Sequence, residues 1–263
     1  MIEAVIAGLF GLLIGSFLNV CIHRWPRDLS VVFPGSHCVT CGSAVAWYDN
    51  IPLVSYALLG ARCRNCRSSI HWRYPLVELL TGLLFAVAAW KWGVSAMAAK
   101  VMVFAGMQVG MIFSDLETRL LPDEFTKGGI VLGMVASFFV PIENGFFAAL
   151  MQVMGTGQSD PRMVSLVEAG VSAALVSAAM WAVGWLFNKV RKKDGLGFGD
   201  VKMVAMMGAW LGFGPVLAAI LYGSVLSLVL GVGYAVYTKR DLGSYELPYG
   251  TFLGIGALWV AFR

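Results

Sequence analysis

The chain has 263 residues, of which 59% are hydrophobic and only 13% are charged, and its formal net charge at neutral pH is +4. A soluble globular domain usually has about twice that charged fraction, so the composition argues against a soluble protein with one large core. It favours an integral membrane protein, and no nucleic-acid partner is needed to explain the small positive charge.

Eight apolar runs follow one another along the chain. Three are long enough to span a membrane as they stand, and a fourth qualifies if Lys100 extends its amine toward one end. The other four are shorter, and by length alone each could be re-entrant or interfacial. In chain order the runs are 4–22, 76–90, 96–114, 128–141, 164–187, 201–213, 215–237 and 247–262.

The basic residues favour the reading in which all eight runs span. If the first run begins outside, fifteen of the 19 Lys and Arg residues fall in connections on the cytoplasmic side and four on the other side. Such an excess is the positive-inside signal, and omitting one short span would spoil it. We therefore predict an all-α polytopic membrane protein with about eight transmembrane helices and a small cytoplasmic insertion after the first.

Four cysteines lie in that polar insertion, as two C-x-x-C pairs. They are Cys38, Cys41, Cys63 and Cys66. Two such pairs at this separation are typical of a zinc ribbon, because each pair turns both thiolates toward one ion. Two disulfides or a redox dithiol are the alternatives, although stable disulfides are rare in the reducing cytoplasm. Four thiolates complete the coordination of zinc, so we predict a structural rather than a catalytic site.

Two aspartates are expected at one membrane depth. Asp115 ends the third run and Asp200 precedes the sixth, and both positions face the cytoplasm in the proposed topology. Neighbouring carboxylates share a proton, so one can act as a general base and the other as a general acid. Gly197 and Gly199 would allow backbone geometry barred to other residues and close approach of a substrate strand. Asp200 could instead cap the sixth helix.

Two further acids lie inside apolar runs. Glu78 and Glu168 are functional candidates by default, because ionisable residues within a membrane are costly. Both lie near the ends of their helices, so a plain solvated role is at least as good an interpretation.

Five segments together resemble the type IV prepilin peptidases, a family of GxGD intramembrane aspartyl proteases that also methylate their product. They are GSFLNVCIHRWP at 15–26, PGSHCVTC at 34–41, NIPLVSYALLGARCRNCRSSIHWRYPLVELLTG at 50–82, DLETRLLPDEFT at 115–126 and GFGDVK at 197–202. The resemblance covers nearly the whole chain. One departure is ELPYGTFLG, which has Thr251 where the family's PFGP-like segment is expected to have a second proline.

The resemblance implies a function. Asp115 and Asp200 would be the catalytic pair that removes the basic leader of prepilins or pseudopilins. The new N-terminal residue would then be methylated by S-adenosylmethionine, and the four cysteines would bind zinc. The enzyme would lie in the bacterial inner membrane with its active site on the cytoplasmic side. Residues 1–22 would be the first transmembrane helix, 23–75 the zinc-binding insertion and 76–263 the protease domain.

Two other classes of function fit parts of the pattern. Asp115 and Asp200 could be relay acids of a proton-coupled transporter or channel, although the centres of the runs lack the polar residues that such a pathway needs. A non-catalytic membrane anchor with a zinc ribbon would leave the coincidence of the two aspartates unexplained. Incubation of the purified protein with a prepilin would separate the three hypotheses.

Overall fold

The computed structural model describes residues 1–142, 145–153, 160–192, 196–238 and 247–263. These residues are almost entirely helical, with two isolated bridges and no strand among them. The α-helices within them are, in chain order, α1 (Ile2–Arg24), α2 (Val54–Leu58), α3 (Arg73–Trp92), α4 (Ala96–Thr118), α5 (Asp123–Phe139), α6 (Phe146–Val153), α7 (Pro161–Arg191), α8 (Phe198–Leu211), α9 (Phe213–Thr238) and α10 (Tyr249–Ala261).

Each of the eight apolar runs coincides with one of these helices. Helices α1, α3, α4, α7 and α9 are long and apolar enough to cross a membrane, which confirms the prediction of an all-α membrane protein. Helices α5, α8 and α10 have only 17, 14 and 13 residues. At about 1.5 Å per residue, the last two are well short of the roughly 30 Å hydrocarbon core. The count of eight spans therefore stays a prediction.

Large apolar side chains are exposed along the outer surfaces of the long helices. Leu9 and Leu13 of α1 and Leu228 and Val229 of α9 are examples. A soluble monomer rarely exposes such continuous apolar surface, whereas a helix that faces lipid must. The pattern of exposure therefore agrees with a bilayer environment.

The chain divides into two compact units, Met1–Ser114 and Asp115–Arg263. In the first unit α1 packs along α3, and glycines on α1 bring the two backbones close together. A Cβ added to Gly11 would lie 2.8 Å from the carbonyl oxygen of Thr81, and one added to Gly15 would lie 2.6 Å from the Cα of Glu78. Small residues at the interface are the usual means of close helix packing in membranes.

In the second unit α8 packs against both α5 and α7. The indole N–H of Trp210 on α8 donates to the carbonyl oxygen of Gly129 on α5 at 2.8 Å, and the hydroxyl of Ser137 on α5 donates to the carbonyl oxygen of Ala209 at 2.9 Å. Both bonds are buried, where polar groups need partners. They fix the position of α8 and hence of Asp200 in its first turn.

Helix α10 packs along α9 in the same unit. A Cβ added to Gly223 of α9 would lie 2.9 Å from the Cα of Leu253, and one added to Gly256 of α10 would overlap the carbonyl oxygen of Ala219. The two backbones are therefore in direct contact. This packing fixes the N-terminal turn of α10, which carries Tyr249, Gly250 and Thr251.

Candidate active site

Asp115 lies in the last turn of α4, and its side chain is buried. Two hydrogen bonds from one residue of α10 hold its carboxylate. The backbone N–H of Thr251 donates to Oδ2 at 2.7 Å, and the hydroxyl of the same Thr251 donates to the same oxygen at 2.9 Å. The carboxylate is therefore oriented by a helix that is distant in sequence.

Asp200 is the third residue of α8, after the N-cap residue Gly197. Its carboxylate is half-buried, and burial raises the pKa of that carboxyl, whereas the backbone of Gly197 beside it lowers that pKa by a smaller amount. The N-cap residue of α8 is therefore Gly197 and not Asp200, and Asp200 lies in the first turn beside Asp115.

The two carboxylates converge on one point beside Gly250. A Cβ added to Gly250 would lie 3.2 Å from Oδ2 of Asp115 and 3.2 Å from Oδ1 of Asp200. The two oxygens are therefore separated by no more than twice that distance. Burial, and then the negative charge of Asp115, raise the pKa of Asp200 to about 7. Two neighbouring carboxylates cannot both ionise cheaply, which favours a shared proton.

The two glycines beside Asp200 differ from expectation in one respect. Gly197 has φ −69° and ψ 139°, and neither it nor Gly199 is among the glycines with positive φ. Their backbone geometry is therefore open to other residues, and that part of the argument from sequence is wrong. Space is the remaining reason, because a Cβ on Gly197 would lie 3.3 Å from Oδ2 of Asp200 and one on Gly199 would lie 3.4 Å from Leu121.

Lys202 does not pair with Asp200. Its amine contacts the carboxylate of Asp123 at the start of α5, and Lys127 contacts the other oxygen of Asp123 at 2.7 Å. These two lysines hold the pKa of Asp123 at about 2. The pairs join the first turns of α5 and α8, and they leave Asp200 with Asp115 as its charged neighbour.

The two intramembrane glutamates are not solvated, contrary to the plain interpretation of the sequence. Glu168 on α7 is fully buried, and it accepts the N–H of Phe147 at 2.7 Å and of Phe213 at 2.9 Å. Glu78 on α3 is also buried and accepts the N–H of Leu53 at 2.9 Å. Each satisfies N–H groups at or beside the starts of other helices, which have no partner within their own helix. They hold connections in place.

The four cysteines of the insertion form one cluster in the first unit. Their sulfur atoms all lie within 4.8 Å of one another, and those of Cys38 and Cys66 are 3.9 Å apart. A tetrahedral zinc site with Zn–S bonds of about 2.3 Å has sulfur–sulfur distances of about 3.8 Å. The donor set therefore fits a four-thiolate zinc ion, and all five cysteines are free of disulfides.

The two C-x-x-C knuckles have equivalent backbone hydrogen bonds. The N–H of Cys38 donates to the carbonyl oxygen of Ser43 at 2.9 Å, and the N–H of Cys63 donates to that of Ser68 at 2.8 Å. Backbone N–H groups of Cys41 and Thr40 also point at the sulfur of Cys38 and lower the pKa of its thiol to about 6. Backbone N–H groups that point at a sulfur favour its thiolate, which is the form that binds metal.

Comparison with known proteins agrees with this architecture. Residues 9–92 match the bacterial peptidase A24 N-terminal domain, and residues 102–232 match the type IV leader peptidase family. The prepilin leader peptidase/N-methyltransferase of Pseudomonas aeruginosa is 34% identical over 96% of this chain and 87% of its own length. The protein of the same name from Stutzerimonas stutzeri is 35% identical over 95% and 87%.

A third relative has a different name. The type 4 prepilin-like proteins leader peptide-processing enzyme of Escherichia coli is 34% identical over 97% of this chain and 91% of its own length. No solved structure matches the chain. Identity at this level over nearly full length, together with matches to both family domains, shows that the chain belongs to the type IV leader peptidase family.

Proposed function

We propose that this protein removes the basic leader of type IV prepilins or pseudopilins at the cytoplasmic face of the bacterial inner membrane, and that it methylates the new N-terminal residue. The names of its relatives support both activities. The observation that carries the assignment of residues is the convergence of Asp115 and Asp200 on one point beside Gly250.

The proposed chemistry is hydrolysis by a carboxylate pair that shares one proton. The ionised carboxylate takes a proton from water, the hydroxide adds to the scissile carbonyl carbon, and the protonated carboxyl gives its proton to the carbonyl oxygen. The first carboxyl then protonates the leaving nitrogen as the C–N bond breaks. The second recovers a proton from a hydroxyl of the intermediate, so the pair returns to its starting state with one water consumed.

The cysteine cluster is assigned a structural role. Cys38, Cys41, Cys63 and Cys66 would hold one zinc ion. All four coordination positions would be filled by sulfur, so the ion has no open position for a substrate. Its contribution would be to the folding of the insertion, residues 23–75, because metal binding and folding are coupled in small metal-binding segments.

S-adenosylmethionine is the proposed methyl donor. A methyltransferase name implies such a donor. The described residues contain no strand, and hence no strand–turn–helix unit with the glycine fingerprint of soluble nucleotide-binding domains. The donor would therefore bind in a site of another kind.

A cleavage assay with a prepilin peptide tests the catalytic pair. Asp115→Asn and Asp200→Asn should each lower kcat by about 10²- to 10⁴-fold, because an amide cannot cycle a proton. The matched control is Glu124→Gln, which changes an exposed acid of α5 in the same way and should retain activity. Thermal unfolding in detergent checks that the variants fold. A full-rate Asn variant at either position would remove Asp115 and Asp200 from the mechanism.

A further inference from the structure

The carboxylate pair is asymmetric, because one residue of α10 gives both of its donors to one member. The N–H and the hydroxyl of Thr251 bond to Oδ2 of Asp115 at 2.7 and 2.9 Å. Thr251 is buried, so water does not replace these bonds. Hydrogen bonds donated to a carboxylate favour its charged form, and they are stronger than bonds between neutral groups.

Asp200 has fewer donors of this kind. Burial and then the carboxylate of Asp115 oppose the charge of Asp200 and raise its pKa, and among the described residues only the backbone of Gly197 favours that charge. Arg119, which follows α4, is a charged group that acts on Asp115 at the end of that helix. On α10, Tyr249 interacts electrostatically with Asp200, and the hydroxyl oxygen of Tyr249 lies 2.8 Å from that of Ser224.

We propose that Thr251 is a positioning residue that keeps Asp115 ionised, so that Asp115 is the base and Asp200 carries the shared proton as the acid. This inference rests on the proposed function, and it assigns the roles of base and acid within the pair. Asp115 takes the proton of the attacking water while Asp200 protonates the carbonyl oxygen. The same two hydrogen bonds orient the carboxylate of Asp115 toward the space beside Gly250.

Substitutions at position 251 separate the two donors. Valine has nearly the shape of threonine and keeps the N–H but lacks the hydroxyl. Serine keeps both donors, and proline lacks both while remaining acceptable in the first turn of a helix. Thr251 is the third residue of α10, so all three substitutions are compatible with the backbone there.

The test is the pH dependence of kcat/KM for cleavage of a prepilin peptide by the full-length protein. Thr251→Val should lower kcat/KM about tenfold near neutral pH. It should also move the acid limb of the profile to higher pH by about one unit, because losing a donor makes the charged form of Asp115 harder to reach. Thr251→Pro should shift the limb further, and Thr251→Ser should restore the wild-type profile.

Two comparisons make the test decisive. Thr126→Val removes a buried hydroxyl that bonds to the carbonyl oxygen of Pro122 at 3.2 Å, and it should leave both limbs in place. If Thr251→Val lowers the rate equally at every pH, or has no effect, Thr251 only packs and the inference is wrong. Inactive Asn variants of Asp115 and Asp200 would then leave the proposed function standing, whereas active ones would overturn both.

Discussion

At the scale of single residues, the site depends on one position that has no side chain. Gly250 presents no side chain where the carboxylates of Asp115 and Asp200 meet. That space is where an attacking water and a scissile carbonyl would have to fit in the proposed mechanism. Gly250 lies in the first turn of α10 without positive φ, so its backbone would accept alanine and only the added methyl group matters.

Gly250→Ala should therefore impair cleavage without unfolding the protein. The new Cβ would lie 3.2 Å from both carboxylates, which is close enough to displace the reacting groups. A displacement of this size should lower kcat/KM by roughly 10- to 100-fold. Gly128→Ala is the matched control, because a Cβ there has no neighbour within 4 Å. Equal activity of the two variants would show that the reaction takes place elsewhere.

The sequence predicted Asp115 and Asp200 but not Gly250 or the role of Thr251. The two aspartates could be paired because apolar runs and basic connections place them at one depth. Gly250 and Thr251 lie at the site because α10 packs on α9. That packing cannot be read from the periodicity of the sequence. Thr251 was conspicuous only as a difference from an expected proline, and the hydrogen bonds to Asp115 show what threonine supplies there.

At the scale of elements, helix positions could be predicted and helix connections could not. Each apolar run became a helix because the bilayer leaves no other partner for its backbone groups. The buried roles of Glu78 and Glu168 depend on which N–H groups lie beside them in three dimensions. Glu168 joins the starts of α6 and α9 to α7, although Phe147 and Phe213 are far from it in sequence.

The cysteine knuckles give the prediction at this scale. Any single Cys→Ser change among Cys38, Cys41, Cys63 and Cys66 should lower the zinc content of the pure protein below one ion per chain. It should also expose the insertion to proteolysis, because the ion holds both knuckles. Metal analysis and limited proteolysis measure the two effects.

The fifth cysteine provides the control for this experiment. Cys21 is buried in α1 and lies outside the cluster, so Cys21→Ala should keep its zinc. Wild-type protein without zinc, and with disulfides found by mass spectrometry, would contradict both the metal site and a cytoplasmic position for the insertion.

At the scale of the whole molecule, the short helices carry the site. Asp200 lies in the first turn of α8, and Gly250 and Thr251 lie in the first turn of α10. With 14 and 13 residues, these helices are about 20 Å long. If both cross the membrane, either the bilayer thins around them or their N-termini lie below its surface. If the bilayer thins, a scissile bond at the interface would meet the carboxylates without a helix being unwound deep in lipid, where unpaired backbone groups cost several kcal/mol each.

Reporter fusions distinguish eight spans from the five long helices alone. With eight spans and residue 1 outside, the chain after Lys192 lies in the cytoplasm and Arg263 lies outside. If α5, α8 and α10 do not cross, both positions move to the opposite side. A phosphatase reporter that is active only outside the cytoplasm should therefore be inactive when fused after Lys192 and active when fused after Arg263. The reverse result would contradict the predicted topology of eight spans with residue 1 outside. The placement of Asp115 and Asp200 on one cytoplasmic face would then lose its support.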